Sequence, residues 1–321
     1  MKLLLLLAAL HVGIGENKPD MFTDPLFSSL GVKQVRLVVS YDVMTSGDDE
    51  LQRVTKYLLA ARAAGIEPLV TFEHARGAAE ICEKRKNRRK RQCRLPSAAR
   101  YQREFKLFRK RFAFVRTYVP WNEINHFTQP TSRNPKAAAK FTRIVRKNCF
   151  GCKVVVADVL DQADHPRAKN PTYRGTLRYI KQFRHALRAP RTICGLHNYS
   201  DVNRFRDTGT RKIIKALGCR EIWLTESGGI YKFAGFGTNA RRQLKATRYM
   251  FKLARRFKRI KRVYVYTWFG RTTPRFDAGL VARGRPRLAY NEVKKHLPRP
   301  TPTPTPTPPP PAGYGDPLAG Q

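Results

Sequence analysis

Two glutamates stand at the ends of apolar runs that read as strands. They are Glu123 in Tyr118-Val119-Pro120-Trp121-Asn122-Glu123 and Glu226 in Ile222-Trp223-Leu224-Thr225-Glu226-Ser227. Two carboxyl groups facing one cleft can break an acetal: one protonates the departing oxygen, and the other attacks, or supports attack at, the carbon being released. Either glutamate alone would read as an ordinary polar residue at a strand end. As a pair in register with the rest of the chain, they point to cleavage of a glycosidic bond.

The elements that would position them alternate. Eight short β-rich runs are separated by longer amphipathic stretches, the pattern of βα units around a parallel sheet. The runs are His11–Gly15, Gln34–Ser40, Glu67–Phe72, Phe114–Pro120, Lys153–Asp158, Thr192–His197, Glu221–Thr225 and Arg262–Thr267, and helical patterning covers Asp48–Ala64, Ser97–Arg111, Pro135–Lys147, Tyr173–Leu187 and Asn239–Lys258. Eight alternations predict an α/β protein with a single-domain (β/α)8 TIM barrel over residues 12–297, a fold whose sites gather at the C-terminal ends of the strands. Glu123 after the fourth strand and Glu226 after the seventh would then face one mouth. A doubly wound open sheet is the alternative, but Gly13, Gly15 and Glu16-Asn17 do not make the Gly-x-Gly-x-x-Gly turn that fold uses for dinucleotides.

The chain has 321 residues, 41% hydrophobic and 11% aromatic, enough for one large core. Its net charge of +41, from 64 Lys and Arg against 23 Asp and Glu, predicts attraction to polyanions such as an anionic polymer of the cell wall. Solvated helix faces account for much of that charge without any dedicated partner, the reading preferred over a polyanion site, and no specific nucleic-acid motif is present. Met1-Lys2 followed by the uncharged Leu3–Leu10 matches the basic and apolar parts of a secretory signal over residues 1–11, and is too short to be a transmembrane segment. Six cysteines fall into sequence-local pairs, Cys82 with Cys93, Cys149 with Cys152 and Cys194 with Cys219, as suits an oxidising compartment. The first pair would staple the basic run 83–92 into a loop. A single Cys-x-x-Cys without a following histidine does not make a zinc site. Residues 298–321 begin as a proline and threonine tract that cannot pack a core and should be extended, as a linker or tail. These features predict a secreted or wall-associated protein.

The same residues resemble the clan A glycoside hydrolases, retaining (β/α)8 enzymes that include the family five cellulases. Their signature is Asn-Glu after strand four and a glutamate after strand seven, matched here by Asn122-Glu123 and Glu226. The resemblance implies a poly- or oligosaccharide substrate, no cofactor and no metal, with Glu123 as general acid and then base and Glu226 as nucleophile. It implies that Arg36, on an apolar second strand where a buried arginine needs a carboxylate partner, supports the nucleophile, and that Asn122 bonds the sugar 2-hydroxyl. In His197-Asn198-Tyr199 it implies a substrate-contacting His197 and a Tyr199 that orients the nucleophile. It also places His74 near a sugar subsite, although Glu73 beside it could pair with basic neighbours instead, and Trp268 under the sugar ring. For the two roles to coexist near neutral pH, Glu123 must be protonated and Glu226 ionised, with the charge of Glu226 raising the pKa of Glu123. Ile124-Asn125 stands where related enzymes carry proline after Asn-Glu, a departure that bears on the family rather than the chemistry. A barrel that binds carbohydrate or polyanion without turnover is the competing expectation.

Overall fold

A computed structural model describes residues 10–75, 81–82, 90, 93–165, 168–233, 237–270 and 276–298. Most of the apolar leader, most of the basic run 83–92 and the tail from 299 onward lie outside the described residues.

Eight parallel strands close into a barrel in chain order: β1 (His11–Gly15), β2 (Gln34–Ser40), β3 (Glu67–Glu73), β4 (Thr117–Val119), β5 (Lys153–Leu160), β6 (Ile193–His197), β7 (Glu221–Ser227) and β8 (Ile260–Tyr266). β8 returns to β1 with His11 opposite Arg262 and Gly15 opposite Tyr266. Helices alternate with the strands: α1 (Pro25–Ser28), α2 (Asp48–Ala63), α3 (Ala98–Arg111), α4 (Pro135–Lys147), α5 (Arg174–Leu187), α6 (Thr208–Leu217), α7 (Ala240–Arg256) and α8 (Leu288–Lys294). The expected TIM barrel is therefore the fold. The strands read as near-continuous β-branched runs because both faces are covered, one by the barrel interior and one by helices. In β5 every residue from Val154 to Val159 is buried.

Local chemistry starts several helices where the pattern places them. Ser97, Asn134 and Asn239 each accept a hydrogen bond from the backbone N–H three residues on, capping α3, α4 and α7. The fourth strand is shorter than the apolar run Phe114–Pro120 suggests. Arg109 takes the carbonyls of Ala113 and Val115, tying that stretch to α3, and only Thr117–Val119 pairs. β5 and β7 run two residues longer than expected, so Glu226 lies within its strand rather than after it.

Inside the barrel, Leu69, Val119, Val155, Trp223 and Tyr264 form an apolar plug. Val119, Val155 and Trp223 each precede by three residues a polar side chain of the mouth: Asn122, Asp158 and Glu226. The larger core fills the space between strands and helices. Gly13 permits close packing of β1, since a Cβ there would meet the Gln34 carbonyl oxygen at 2.6 Å and the Tyr264 ring at 2.9 Å. All three sequence-local cysteine pairs are disulfides, and Cys194–Cys219 joins β6 to the segment entering β7. No helix among the described residues is long and apolar enough to cross a membrane.

Candidate active site

Because β4 ends at Val119, the chain beyond it is held by its neighbours. The Asn122 amide donates to the Phe72 carbonyl on the β3 side at 2.7 Å, and the Ile124 amide to the Asp158 carbonyl on the β5 side at 2.8 Å. Asn125 then exchanges two hydrogen bonds with Leu160, its Nδ2 donating to the carbonyl and its Oδ1 accepting from the amide, both at 2.9 Å. Between these anchors Glu123 adopts φ +41°, the left-handed region that non-glycine residues avoid. Backbone in that region costs on the order of 1–3 kcal/mol and persists where its surroundings enforce it.

Glu226 projects from β7 into the same mouth. Arg36 Nη1 donates to its Oε2 at 2.7 Å and the Tyr199 hydroxyl to its Oε1 at 3.0 Å, so each carboxylate oxygen has a donor. Burial, with the charge of Glu226 next, pushes the Tyr199 hydroxyl well above its usual range, which keeps it a donor. Arg36 Nη2 reaches Asn122 Oδ1 at 2.8 Å and Asp158 Oδ2 at 3.2 Å. The arginine thus links the second, fourth, fifth and seventh strands.

His197, fully buried at the end of β6, connects the two glutamates. Its Nδ1 lies 3.0 Å from Glu123 Oε1 and 3.9 Å from Glu226 Oε2, and its Nε2 lies 3.2 Å from Asp158 Oδ2. Burial alone would lower its pKa, but Asp158 and Glu226, with hydrogen bonds to Asp158 and Glu123, push it up to about 10. His197 is therefore an imidazolium at neutral pH and donates from both ring nitrogens. Three carboxylates, of Glu123, Asp158 and Glu226, surround two cations, of Arg36 and His197.

This network reverses the expected ionisation of Glu123. Burial would raise its carboxyl, but the His197 hydrogen bond and charge, with His126 beyond, outweigh burial and hold it below the usual range. The reason is the cation wedged between the glutamates, whose field exceeds the repulsion that Glu226 was expected to exert.

Most of the expected site residues come together. Arg36, Asn122, Glu123, His197, Tyr199 and Glu226 form one connected cluster. His74 follows directly after β3, buried, with Nδ1 near the Ala75 carbonyl and Nε2 3.7 Å from Glu73 Oε2. The Glu73 carboxyl is pushed up, first by burial. Trp268 does not join them. Its side chain is 0% exposed, its Nε1 donates to Asp24 Oδ2 at 2.9 Å, and its ring packs edge-on against Phe27 and Tyr290. It seals the helical layer and offers no face to a sugar. The aromatic that stays beside Tyr199 at the end of β8 is Tyr266, two residues earlier, with Phe276 edge-on to Tyr199 at 5.6 Å.

Asp158 is the member that reading the sequence did not find. It accepts from Thr225 Oγ1 as well as facing Arg36 and His197, and its own pKa is lowered because His197 and Arg36 outweigh burial. A lone carboxylate inside Val154-Val155-Val156-Ala157-Asp158-Val159 was the available signal, since a charge in a run buried on both faces needs partners. His126 was missed too, with Nδ1 3.4 Å from Glu123 Oε2.

A family model described as the glycosyl hydrolase catalytic core matches residues 105–284, more than half of the chain. No curated protein sequence matches. Several solved structures share the fold. A beta-glucosidase from Thermotoga maritima in complex with deoxynojirimycin superposes with a TM-score of 0.57 at 12% identity, covering 87% of this chain and 88% of that one. The AHE enzyme from Alicyclobacillus herbarius gives 0.60 at 10% identity over 86% and 85%. A beta-glucuronidase from an uncultured Clostridium sp. gives 0.56 at 12% identity, over 89% of this chain and 50% of the other. At such identities the likeness speaks for the barrel alone. The family match spans Glu123, Asp158, His197 and Glu226, and it names the catalytic core in general rather than family five. This chain belongs to the glycosyl hydrolase catalytic core family and is a glycosidase.

Proposed function

We propose that the enzyme is a retaining glycoside hydrolase acting on a poly- or oligosaccharide, with Glu226 as nucleophile and Glu123 as acid and then base. The observation that carries this is the approach of both carboxylates to one nitrogen, His197 Nδ1, at 3.0 Å and 3.9 Å. Those distances keep Glu123 Oε1 and Glu226 Oε2 within about 7 Å of each other, which suits the ~5–5.5 Å of retaining enzymes better than most of the ~6.5–9.5 Å range of inverting ones.

The donors of Arg36 and Tyr199 hold the Glu226 carboxylate in position to attack the anomeric carbon, forming a glycosyl ester while the leaving oxygen takes a proton from Glu123. Ionised Glu123 then draws the proton from water as that water displaces Glu226. Asn122 has its carbonyl oxygen committed to Arg36, so its amide N–H is the group to serve the sugar 2-hydroxyl. His74 and Tyr266 flank the same mouth and are proposed to contact the sugar. The three disulfides suit an extracellular enzyme led by residues 1–11 as a secretion signal and trailed by the segment from 298.

Reducing-sugar release from a panel of neutral and acidic polysaccharides, comparing wild type with Glu226→Ala, identifies the substrate and should vanish in the variant. NMR of the first-formed product anomer then reads the stereochemistry. A product with inverted configuration would rule out the double displacement.

A further inference from the structure

A cavity of about 1220 Å³ lies outside the barrel along the seam of α4 and α5. Its lining includes Arg133, Lys136, Arg143, Arg178, Lys181 and Arg188, and no acidic residue among those described. Neither helix contains one: Pro135–Lys147 and Arg174–Leu187 lack Asp and Glu entirely. Some basic groups of other helices find carboxylates, as Arg248 does in Glu292, Arg256 in Asp207 and Arg103 in Glu104. Among the described residues, no ion pair holds any of the six cations of the seam.

The seam is also braced. Arg143 bridges the helices by donating to the Ala186 carbonyl, and Arg146 donates to the Pro190 carbonyl, which fixes one helix against the other. Tyr179 of α5 donates to the Thr131 carbonyl at 3.0 Å, tying the upper end of the groove to the segment leading out of the Glu123 loop. From Arg133 at that end to Arg188 at the other, the groove follows a helix length of ~20 Å.

Unpaired like charges around a concave surface repel one another, and the protein walls concentrate their field on whatever enters. An anionic chain lying along the seam would relieve that repulsion, and arginine forks suit carboxylate and sulfate oxygens. The lining carries no Phe, Tyr or Trp on which nucleobases could stack. Since the chain is a glycosidase, we propose that the α4–α5 seam is a second carbohydrate-binding site, separate from the catalytic mouth, for a carboxylated or sulfated polysaccharide. The assignment does not depend on which bond the active site cuts.

The test must separate a built site from the general attraction of a protein with net charge +41. Lys136, Arg178 and Lys181 are exposed and are reversed together (Lys136→Glu, Arg178→Glu, Lys181→Glu). A control reverses three exposed cations on α7 (Arg241→Glu, Lys245→Glu, Lys252→Glu), giving the same net charge. Thermal melting of each variant verifies folding. Binding is titrated against polygalacturonate, dextran sulfate, neutral dextran and single- and double-stranded DNA at about 0.15 M ionic strength, where exposed charges are screened beyond ~8 Å. The seam variant should lose on the order of tenfold in affinity for polygalacturonate or dextran sulfate, while the α7 control changes little and neutral dextran binds to neither. The acid or ester polymer that shows the larger loss identifies carboxylate or sulfate as the ligand group. Equal losses in both variants would reduce the effect to net charge and overturn the site. Tighter, seam-dependent binding of DNA would replace the polysaccharide with nucleic acid.

Discussion

His197 sets the proton inventory of this active site. As an imidazolium anchored to Asp158, it holds Glu123 ionised further into the acid range than an ordinary glutamate. Glu123 must carry a proton to assist departure of the leaving group, so kcat/KM, which reports the free enzyme, should decline as pH rises through that lowered pKa. The expected profile therefore has its alkaline limb on the acid side of neutrality. In His197→Gln the cation is gone, burial dominates, and the limb should move to higher pH. A pH–rate series on one soluble oligosaccharide measures both, and a limb unmoved by the substitution would refute the role given to His197. The glutamates and Tyr199 were legible because each sits near a strand end of distinctive composition, and Arg36 because it is a cation within an apolar strand. Asp158 was not, because a single acid in an apolar run does not reveal which partners lie across the barrel. Trp268 misled because it lies two residues beyond the end of β8, where strand alternation no longer fixes which side a residue takes.

At the scale of elements, β6 presses on the site from behind. A Cβ at Gly195 would meet Asp158 Oδ1, Thr225 Oγ1 and the Ala157 carbonyl oxygen. Asp158 cannot swing away without releasing Arg36 and His197. Gly195→Ala should therefore destabilise the protein by ~1–3 kcal/mol, the usual range for overpacking, and depress activity out of proportion to the unfolded fraction, because the displaced group orients the nucleophile's partner. Urea melts together with kcat under fully folded conditions separate the two effects. Full activity in the folded variant would show that Asp158 has no positioning role. The strand and helix pattern was legible here to within a few residues, and α4 matched end to end. The shortening of β4 was not, because Phe114 and Val115 are apolar for reasons of packing near α3, which looks identical to strand patterning in one dimension.

For the whole molecule, ionisation links stability to pH in a definite direction. His197 has a folded pKa near 10 against ~6.5 unfolded, so its contribution is complete below about pH 6.5 and is lost as pH climbs toward 10. Asp161 and Asp201, whose carboxyls burial pushes up, favour the fold while protonated and lose that contribution as pH rises from the ordinary carboxylate range through their folded values. Glu123, Asp158 and Glu67 are held below their usual range, and their contributions fail as pH falls through the folded values. Melting temperature at constant salt should peak at about pH 5–6.5 and decrease toward pH 10. A level profile through the alkaline range would contradict it. The excess of positive charge was plain in the composition, but its concentration along one helix pair needed the fold, since α4 and α5 are separated in sequence and become neighbours only on the barrel.

The closure of β1 against β8 carries a consequence for biosynthesis. β1 ends at Gly15 and its partner begins at Ile260, so the first strand leaves the ribosome well before the strand that completes its pairing exists. At ~5–20 residues per second the interval is on the order of ten seconds or more. Throughout it the nascent chain carries open strand edges that invite pairing with other chains. The abundant lysines and arginines of the helices emerge during the same interval, and mutual repulsion between incomplete copies keeps those edges apart until the last strand arrives to shut the ring.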